Sequence, residues 1–394
     1  FKQKTAYEIG VRLVGSEMCI RDSTSYAHLV TMLYCTLHRC SSLREVVTGM
    51  QASAWRLSHL GLKATPRRST LADANKRRSA EFFQELYHQL YQRYYGHLPD
   101  SLKAKKLLDR LFIIDSTIIS LYSTILQSTG SYGLNGKKKG GIKAHVLLRA
   151  KNDAPCFVRL TEGKHSDSRF LAELHLPPGS IVVMDKAYRN FKLFSAWSKQ
   201  SISWVTRLNE RFIYQITAQR SLSQAQLQQG VRHDYEIDLG NPRTRSLNPI
   251  QKARLVVFYD DLSKKEFRFI TNNFTYSAAT IAEIYKRRWQ IELLFKRVKQ
   301  NFQLQYFLGD NENAIRIQLW CALIADLLLK VVKDKTDRYR KWSMSNLAGL
   351  IRLHLGTYIN LFKFLTNPDK ALLHYKDPAD QYQLSMFPKQ ARGA

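Results

Sequence analysis

The segment LFIID at residues 111–115 places four apolar residues directly before an acid. An apolar run without polar alternation is typical of a strand that is buried on both faces, as in a sheet covered by helices. A second segment of the same kind, SIVVMD, ends at Asp185. We therefore predict that these segments are two inner strands of one sheet, each carrying an acid at its end.

The segments around these two runs alternate between strand and helix patterns. IISLYS, IKAHVLLRA, CFVRLTEG and SISWVTRL have strand character, whereas SDSRFLAEL and NFKLFSAWSKQ read as helices. Residues 209–248 are polar and rich in glutamine, and strands return in ARLVVFYDD and EFRFITNNF. We predict an α/β domain at residues 107–305 with a β-rich insertion at about 209–275.

Helical patterns flank this domain on both sides. Residues 24–106 predict a helical N-terminal domain, in which Ser41 or Ser42 caps one helix and a long helix begins at Ser69 or Thr70 and ends near Gly96. Residues 306–394 predict C-terminal helices followed by a loosely ordered tail. The apolar stretch 319–332 is too short to cross a membrane and is interpreted as a buried helix.

The charge balance favours a polyanionic partner. The 394 residues include 61 Lys and Arg against 32 Asp and Glu, a net charge of +29. The commonest partner of so basic a chain is nucleic acid, although ribosome or membrane-surface binding and simple solubility remain alternatives. A hydrophobic fraction of 44% excludes a disordered basic tail. One N-terminal cluster suits a helix-turn-helix-like DNA reader or, alternatively, a solvated helix face. It consists of Arg67, Arg68, Lys76, Arg77 and Arg78.

The five cysteines are odd in number and irregularly spaced, which argues against a disulfide framework and fits a reducing compartment. Cys35 and Cys40 flank His38, but no second Cys or His pair completes a zinc site.

The acids of the two strands suit a metal site. Asp115 and Asp185 on neighbouring strands would repel each other unless cations lay between them, and hard carboxylate ligands suit Mg²⁺ or Mn²⁺. The alternative for each acid taken alone is a turn or capping role.

A third acid lies on a helix that Ser277 is predicted to cap. At about 100° per residue, Tyr285, Arg288, Glu292 and Lys299 fall within about 60° of one another. The alternative role for Glu292 is an ion pair with Arg288 or another cation four residues away. A neighbouring apolar stripe is expected to face the core. It consists of Ile284, Ile291, Phe295 and Val298.

The spacing Tyr-x2-Arg-x3-Glu-x6-Lys in this helix resembles the Y-R-E-K signature of the IS-four family of bacterial insertion-sequence transposases. Asp115 in IIDST and Asp185 in MDKAY resemble that family's first two catalytic aspartates, and the resemblance covers nearly all of the chain after residue 23. It implies a ribonuclease-H-like core and cut-and-paste DNA transposition. It also implies that the three acids hold two Mg²⁺ ions, with Mn²⁺ as a substitute, for cleavage and strand transfer.

The same resemblance implies the partners and the supporting residues. Double-stranded DNA is the substrate, as terminal inverted repeats and as target, with a homodimer in the synaptic complex and a nucleoid-associated location in the bacterial cytoplasm. Arg288 and Lys299 carry over as phosphate contacts, with Tyr285 beside them. Further candidates are expected to contact or support the site: Lys137, Lys138 and Lys139 as backbone contacts or a solvated turn, His165 and Asp167 near the metals or as caps, and Trp204 or Trp289 as base-stacking or core residues.

The first 23 residues, FKQKTAYEIGVRLVGSEMCIRDS, resemble a translated sequencing-adapter segment. We predict that this segment is not part of the natural protein and that the true N-terminus is missing.

Two other functions remain open at this point. One is a catalytically inactive transposase that acts as a DNA-binding repressor, and the other is a nuclease of the same fold that does not join strands. Three intact acids argue against the repressor, because without metal they would repel DNA.

Overall fold

The computed structural model describes residues 24–54, 60–96, 106–120, 141–162, 167–208, 212–241, 252–302 and 311–368 except 356 and 358–359, with short pieces at 243, 250, 304, 306–309 and 371. The helices are α1 (Ser25–His38), α2 (Leu43–Ala52), α3 (Arg68–Arg77), α4 (Ala80–Tyr95), α5 (Leu107–Arg110), α6 (Asp167–Ala172), α7 (Phe191–Lys199), α8 (Gln224–Gln228), α9 (Ala278–Lys286), α10 (Trp289–Asn301), α11 (Glu312–Thr336), α12 (Met344–His354) and α13 (Leu361–Thr366). The strands are β1 (Leu111–Ser120), β2 (Gly141–Arg149), β3 (Ala154–Glu162), β4 (Ile181–Met184), β5 (Ser203–Arg207), β6 (Tyr214–Gln219), β7 (Val231–Leu239), β8 (Lys252–Asp260) and β9 (Lys265–Thr271).

These nine strands form one mixed sheet in the order β3-β2-β1-β4-β5-β9-β8-β7-β6. The first three strands pair antiparallel, whereas β4 lies parallel to both β1 and β5. Strands β6 to β9 lie in the range predicted as a β-rich insertion, and β9 connects them to the rest of the sheet by pairing antiparallel with β5. This arrangement confirms the α/β fold with a ribonuclease-H-like core.

Strand β1 has no polar alternation because the sheet has a core on each face. Leu111 and Ile113 belong to one core, and Phe112 and Ile114 belong to the other. Helices α6 and α7 cover the second face, where Phe194 stacks on Trp204 with ring centroids 4.7 Å apart. The two-sided burial that the apolar run predicted is therefore present.

The first face is covered by helices from both ends of the chain. Helix α11 packs against α1, α4 and α12, and its apolar residues lie in the same core as those of β1. The stretch predicted as a buried helix therefore lies in the middle of α11. Within the described ranges, no helix is long and apolar enough to cross a membrane.

Two segments that were each predicted as one helix are divided in the structure: the segment from Ser69 or Thr70 and the segment that carries Glu292. The helix predicted from Ser69 or Thr70 onward consists of α3 and α4, and Ser79 caps α4 by accepting from the backbone N–H of Glu81. The extended backbone at Arg78 interrupts it (ψ 134°). The predicted cap at Ser69 or Thr70 is wrong, because α3 already begins at Arg68 and its N-cap residue, Arg67, makes no side-chain capping hydrogen bond. Two other predicted ends are confirmed: Ser42 accepts from Glu45 N–H, and Gly96 ends α4 at a positive φ of 72°.

His28 in α1 gives the N-terminal helices a sensitivity to acid. It is fully buried, and its Nε2 lies 2.8 Å from Oδ1 of Asn75 in α3. The pKa of His28 is lowered to about 4, mainly by burial and also by the charge of Arg78, although the Asn75 hydrogen bond opposes the shift. Between pH 6.5 and pH 4 the unfolded chain thus binds a proton that the folded chain does not.

The free energy of unfolding should therefore fall as the pH drops through this window, by about 3 kcal/mol from His28 alone. A His28→Gln variant should lack this part of the pH-dependent loss in the free energy of unfolding. Urea unfolding at pH 6.5 and at pH 4 measures the difference. His175 is exposed and serves as the matched control, so His175→Gln should follow the wild type. Equal pH dependence in the wild type and His28→Gln would contradict the assignment.

Candidate active site

Two acids meet where β4 ends beside β1. Ile114 pairs with Met184 across these parallel strands, so the next residues, Asp115 and Asp185, are neighbours on strands about 4.8 Å apart. Their side chains point to the same face as Ile113 and Val183, because alternate strand residues share a face. The sheet order thus brings together two acids that are 70 positions apart in the sequence.

The predicted strand-end position of Asp115 is wrong. Strand β1 continues to Ser120, because its antiparallel pairing with β2 extends past Asp115, which lies opposite Val146. Only β4 stops at this level, and Asp185 follows it directly. Asp115 is consequently held in the middle of a strand, with the opening next to it created by the shorter neighbour.

Arg288 connects the third acid to this edge. Its Nη1 donates to Oδ2 of Asp115 at 2.9 Å, and its Nη2 donates to Oε1 of Glu292 at 2.5 Å. Glu292 therefore faces β1 across a shared guanidinium, and the ion pair with Arg288 that the sequence offered as an alternative is also present. Arg288, directly before α10, and Glu292 in its first turn thus place one cation and one carboxylate beside Asp115.

The predicted single helix carrying this site is divided at Arg287 and Arg288. Arg288 N–H donates to the carbonyl of Tyr285, and Ile291 N–H to that of Arg288, both in the tighter i to i−3 pattern. The hydrogen bonds at this point therefore differ from those of the continuous α-helix that the prediction of a single stripe assumed. Tyr285 is buried against Phe269, with ring centroids 4.6 Å apart, while the three later residues of the stripe face β1.

Lys299 extends the same contact along β1. Its Nζ donates to Oγ1 of Thr117 at 2.8 Å and to the carbonyl of Ile118 at 3.2 Å. Thr117 lies on the same face as Asp115, two positions further along the strand. Arg288 and Lys299 thus form two cationic contacts on the part of β1 that β4 does not cover.

Arg207 is a site residue that the sequence reasoning missed. It ends β5, and its Nη2 lies 3.7 Å from Oδ1 of Asp185. Its guanidinium also lies over the ring of Phe267, with 5.9 Å between the guanidinium carbon and the ring centroid. No motif marks this position, and the only sequence signal is a cation at the end of a strand next to β4.

Burial and charge leave Asp115 poorly suited to carry a lone negative charge. The pKa of Asp115 is raised to about 6, mainly by burial and also by the charges of Asp185 and Glu292. The Ser116 backbone N–H, 2.8 Å away, and Arg288 oppose the shift. A cation brought close to these carboxylates would relieve both the burial of charge and the mutual repulsion.

The donor set fits a divalent metal in chemical type. The three side chains supply only carboxylate oxygens, which Mg²⁺ and Mn²⁺ prefer. In the part of the chain that the structure describes, no group of three His, Cys, Asp or Glu residues is arranged closely enough to hold an ion. Arg288 lies between Asp115 and Glu292, so metal binding would require this guanidinium to move.

The remaining predicted residues lie in several places. In the N-terminal cluster Arg67, Arg68, Lys76 and Arg77 are exposed, whereas Arg78 is half-buried and donates to the carbonyl of Thr24. Lys137, Lys138, Lys139 and His165 lie outside the described residues, as does the side chain of Asp167, whose backbone begins α6.

The two tryptophans proposed for base stacking differ in exposure. Trp204 is fully buried, and its Nε1 donates to Ser198, so it is a core residue. Trp289 is 57% exposed at the start of α10, and its stacking role stays a prediction. Four cysteines fall in the described residues, all as free thiols: Cys35, Cys40, Cys156 and Cys321.

Comparison with protein families gives two matches. Residues 106–328 match a family model described as a transposase DDE domain, a range that contains all three acids. Residues 4–63 match a domain of unknown function, DUF4372. That match begins within the first 23 residues, and the adapter origin of those residues stays a prediction.

Three curated relatives are similar to the chain. The putative transposase y4zB of Sinorhizobium fredii is 31% identical over 268 residues, which cover 68% of this chain and 72% of the relative. The probable transposase for insertion sequence element IS5377 of Geobacillus stearothermophilus is 28% identical, with 62% and 63% covered. The putative transposase for insertion sequence element IS4SA of Synechocystis is 27% identical, with 67% and 71% covered.

Among solved structures, the chain is similar to the piggyBac transposase in a cryo-EM synaptic complex with hairpin DNA. The TM-score is 0.48 at 11% sequence identity, with 98% of this chain and 82% of the other chain covered.

Proposed function

The chain belongs to the family of transposases with a DDE domain, and we propose that it cuts DNA at transposon ends and joins the freed strand to target DNA with Asp115, Asp185 and Glu292 as the catalytic acids. The single observation that supports this assignment is the meeting of β1, β4 and α10. Asp115 and Asp185 are neighbours there, and Glu292 reaches them across one guanidinium.

The proposal includes two divalent ions held by these three acids, with Mg²⁺ as the natural ion and Mn²⁺ as a substitute. When bound, such ions would activate the attacking water or DNA 3′-hydroxyl and stabilise the leaving oxygen of the phosphodiester. The raised pKa of Asp115 supports a cation at this position, because a positive charge would compensate a carboxylate that is costly to ionise in isolation.

The chain's own cations would position the DNA. Arg288 and Lys299 face the uncovered part of β1, so a phosphate entering there would meet two donors that now bind Asp115 and Thr117. Arg207, beside Asp185, would contact a phosphate on the other side of the acids. Tyr285 is buried under this surface, so we propose that it orients Arg288, which lies over its ring at 5.8 Å.

The partners follow from the same proposal. The substrate is double-stranded DNA, as terminal inverted repeats and as target, and the synaptic complex is a homodimer acting in the bacterial cytoplasm at the nucleoid. We propose that the exposed cluster of Arg67, Arg68, Lys76 and Arg77 and the turn with Lys137, Lys138 and Lys139 add contacts to the DNA backbone. His165 and Asp167 stay candidates for support near the acids.

A cleavage and strand-transfer assay tests this function. The full chain is incubated with a labelled duplex that carries the flanking inverted repeat, a supercoiled target plasmid and Mg²⁺. We expect a specific cut at the repeat, followed by transfer of the label to the plasmid. Cleavage without transfer would indicate a nuclease instead, and specific binding without cleavage would indicate a repressor.

A further inference from the structure

A second basic surface lies at the C-terminal end of α11, away from the three acids. It consists of Lys335, Arg338, Tyr339, Arg340, Lys341 and Trp342, and we call it the far-end patch. Its four cations are exposed, and Tyr339 is 53% exposed. None of the residues described by the structure supplies a carboxylate partner to these four, because the nearby Asp334 and Asp337 pair with Lys330 and Lys333.

Aromatic rings contact three of the four cations of the far-end patch. The Lys335 ammonium lies 5.5 Å from the ring centroid of Tyr94 in α4. Arg338 lies over Tyr339 at 4.6 Å, and Arg340 lies over Trp342 at 4.9 Å. A ring face positions a cation without neutralising its charge, so these side chains can still bind an anion. Because the rings already restrict them, binding costs less side-chain entropy.

The path of α11 along the sheet sets the position of the far-end patch. Near the start of α11, Arg316 donates to the carbonyl of Leu160 towards the end of β3. Further along, Asp326 shares Arg297 with Asp153, which directly precedes β3. Helix α11 therefore runs opposite to β3. Because β3 is parallel to β1, α11 reaches the level where β1 begins at about Asp326 and continues beyond it to Thr336.

The far-end patch is consequently remote from the catalytic acids. Asp115 lies four residues into β1, or about 13 Å along the strand. Lys335 lies nine residues beyond Asp326, about another 13 Å along the helix. A separation of roughly 25 Å along the sheet exceeds the reach of any side chain at the active site.

The predicted N-terminal basic cluster lies at the other end of α11. Asn313, near the start of α11, donates to the carbonyls of Asn75 and Arg78 in and after α3. The described residues thus place two basic clusters at opposite ends of α11, and of these two the N-terminal cluster lies towards the sheet end that carries the acids.

We propose that the far-end patch is a second DNA-binding surface, which holds the phosphate backbone of duplex DNA without reading its sequence. Four exposed cations that form no ion pair within the described ranges match a polyanion in charge, and phosphate contacts carry no base information. The exposed ring of Tyr339 adds a surface for the sugar edge. The proposal rests on the proposed function only in taking DNA as the partner, because the far-end patch lies outside the catalytic site.

The test measures binding of the full chain to a labelled duplex of about three helical turns that lacks inverted repeats, by fluorescence anisotropy over a salt series without divalent metal. The far-end variant combines Lys335→Gln, Arg338→Gln, Arg340→Gln and Lys341→Gln. The matched control removes four dispersed exposed charges by Lys192→Gln, Lys199→Gln, Lys252→Gln and Lys264→Gln.

We expect the far-end variant to lose at least about tenfold in affinity and its log–log salt slope to fall by about three, while the control changes affinity less than about threefold. Lys335→Gln with Lys341→Gln, which leaves both arginine–ring contacts intact, should produce about half the change in slope. Equal losses in the far-end variant and the control would reduce the effect to net charge and overturn the proposal. So would unchanged binding, or a larger loss on phosphatidylserine vesicles than on DNA.

The binding assay contains neither metal nor a transposon end, so its outcome does not depend on catalysis. Cleavage of a short transposon end by the far-end variant should stay within about threefold of the wild type, because the three acids and their cations are unchanged. Failure of cleavage in the wild type would refute the proposed function and leave the binding result intact.

Discussion

Proteins carrying Asp115→Asn, Asp185→Asn or Glu292→Gln should each bind transposon-end DNA at least as tightly as the wild type and cut it at least about a thousandfold more slowly. Each change keeps the shape of the side chain and removes one negative charge from the donor set. DNA affinity without metal should not fall, because the loss of a carboxylate reduces repulsion of phosphate. Binding is measured by anisotropy, and cleavage by single-turnover kinetics on a labelled end.

Glu283→Gln is the matched control for this series. Glu283 lies on α9, is exposed and forms an i,i+4 ion pair with Arg287, so its loss changes the net charge equally without touching the acids. We expect cleavage within about twofold of the wild type, as for an exposed pair outside the site. Cleavage by Glu292→Gln within about tenfold of the wild type would remove Glu292 from the catalytic set.

The three variants should differ in what they do to Arg288. In Asp115→Asn and Glu292→Gln this guanidinium loses one of its two charged partners, whereas Asp185→Asn leaves both in place and affects Arg207 instead. Affinity for DNA should therefore rise more in the first two variants, because Arg288 is held by its carboxylates at 2.9 and 2.5 Å, whereas Arg207 lies 3.7 Å from Asp185 and is less restrained to begin with. A uniform rise in all three would indicate a general charge effect.

The placement of the two aspartates followed from local sequence. The run LFIID is apolar on both faces, so it had to be an inner strand, and the same reasoning applied to SIVVMD. Sequence alone does not show that β4 is shorter than β1, because strand length depends on pairing with β2 through Ser120. The acids were thus predicted at the right place in the chain, with the wrong reason for the exposure of Asp115.

The features that the sequence did not predict depend on long-range contacts. Nothing local ends a helix at Arg287 and Arg288, since arginine is a good helix former. Arg288 instead binds Asp115, which is 173 residues away in the sequence. Arg207 was missed for the same reason, because only the pairing of β5 with β4 brings it beside Asp185.

A buried ion-pair group fixes the helix that carries Glu292. Arg297, five residues after Glu292 on α10, donates to both carboxylate oxygens of Asp326 at 2.9 Å and to Asp153 at 2.8 Å. The side chains of Arg297 and Asp326 are only 12% and 3% exposed. Burial raises the pKa of Asp326 and the Arg297 charge opposes the shift, so this carboxylate depends on its partner to stay ionised.

Asp326→Ala should lower the free energy of unfolding by about 3–5 kcal/mol, because it leaves the Arg297 charge buried with one partner removed. Chemical denaturation measures this loss. Glu283→Ala, which breaks an exposed pair, should cost no more than about 1 kcal/mol. A loss of similar size in the two variants would mean that the Arg297 group is not a buried anchor.

The double variant Arg297→Met with Asp326→Leu separates stability from positioning. Apolar replacement of a buried pair removes the desolvation cost of both charges, so stability should return to within about 1 kcal/mol of the wild type. Asp153 would lose its contact with α10, and the rotation of the helix would then depend on packing and on the contacts of Arg288 and Lys299 with β1. We therefore expect cleavage to stay below the wild-type rate although the fold is restored, since Glu292 requires a fixed orientation towards β1. Full recovery of both stability and cleavage would show that the ion pairs are dispensable for aligning the acid.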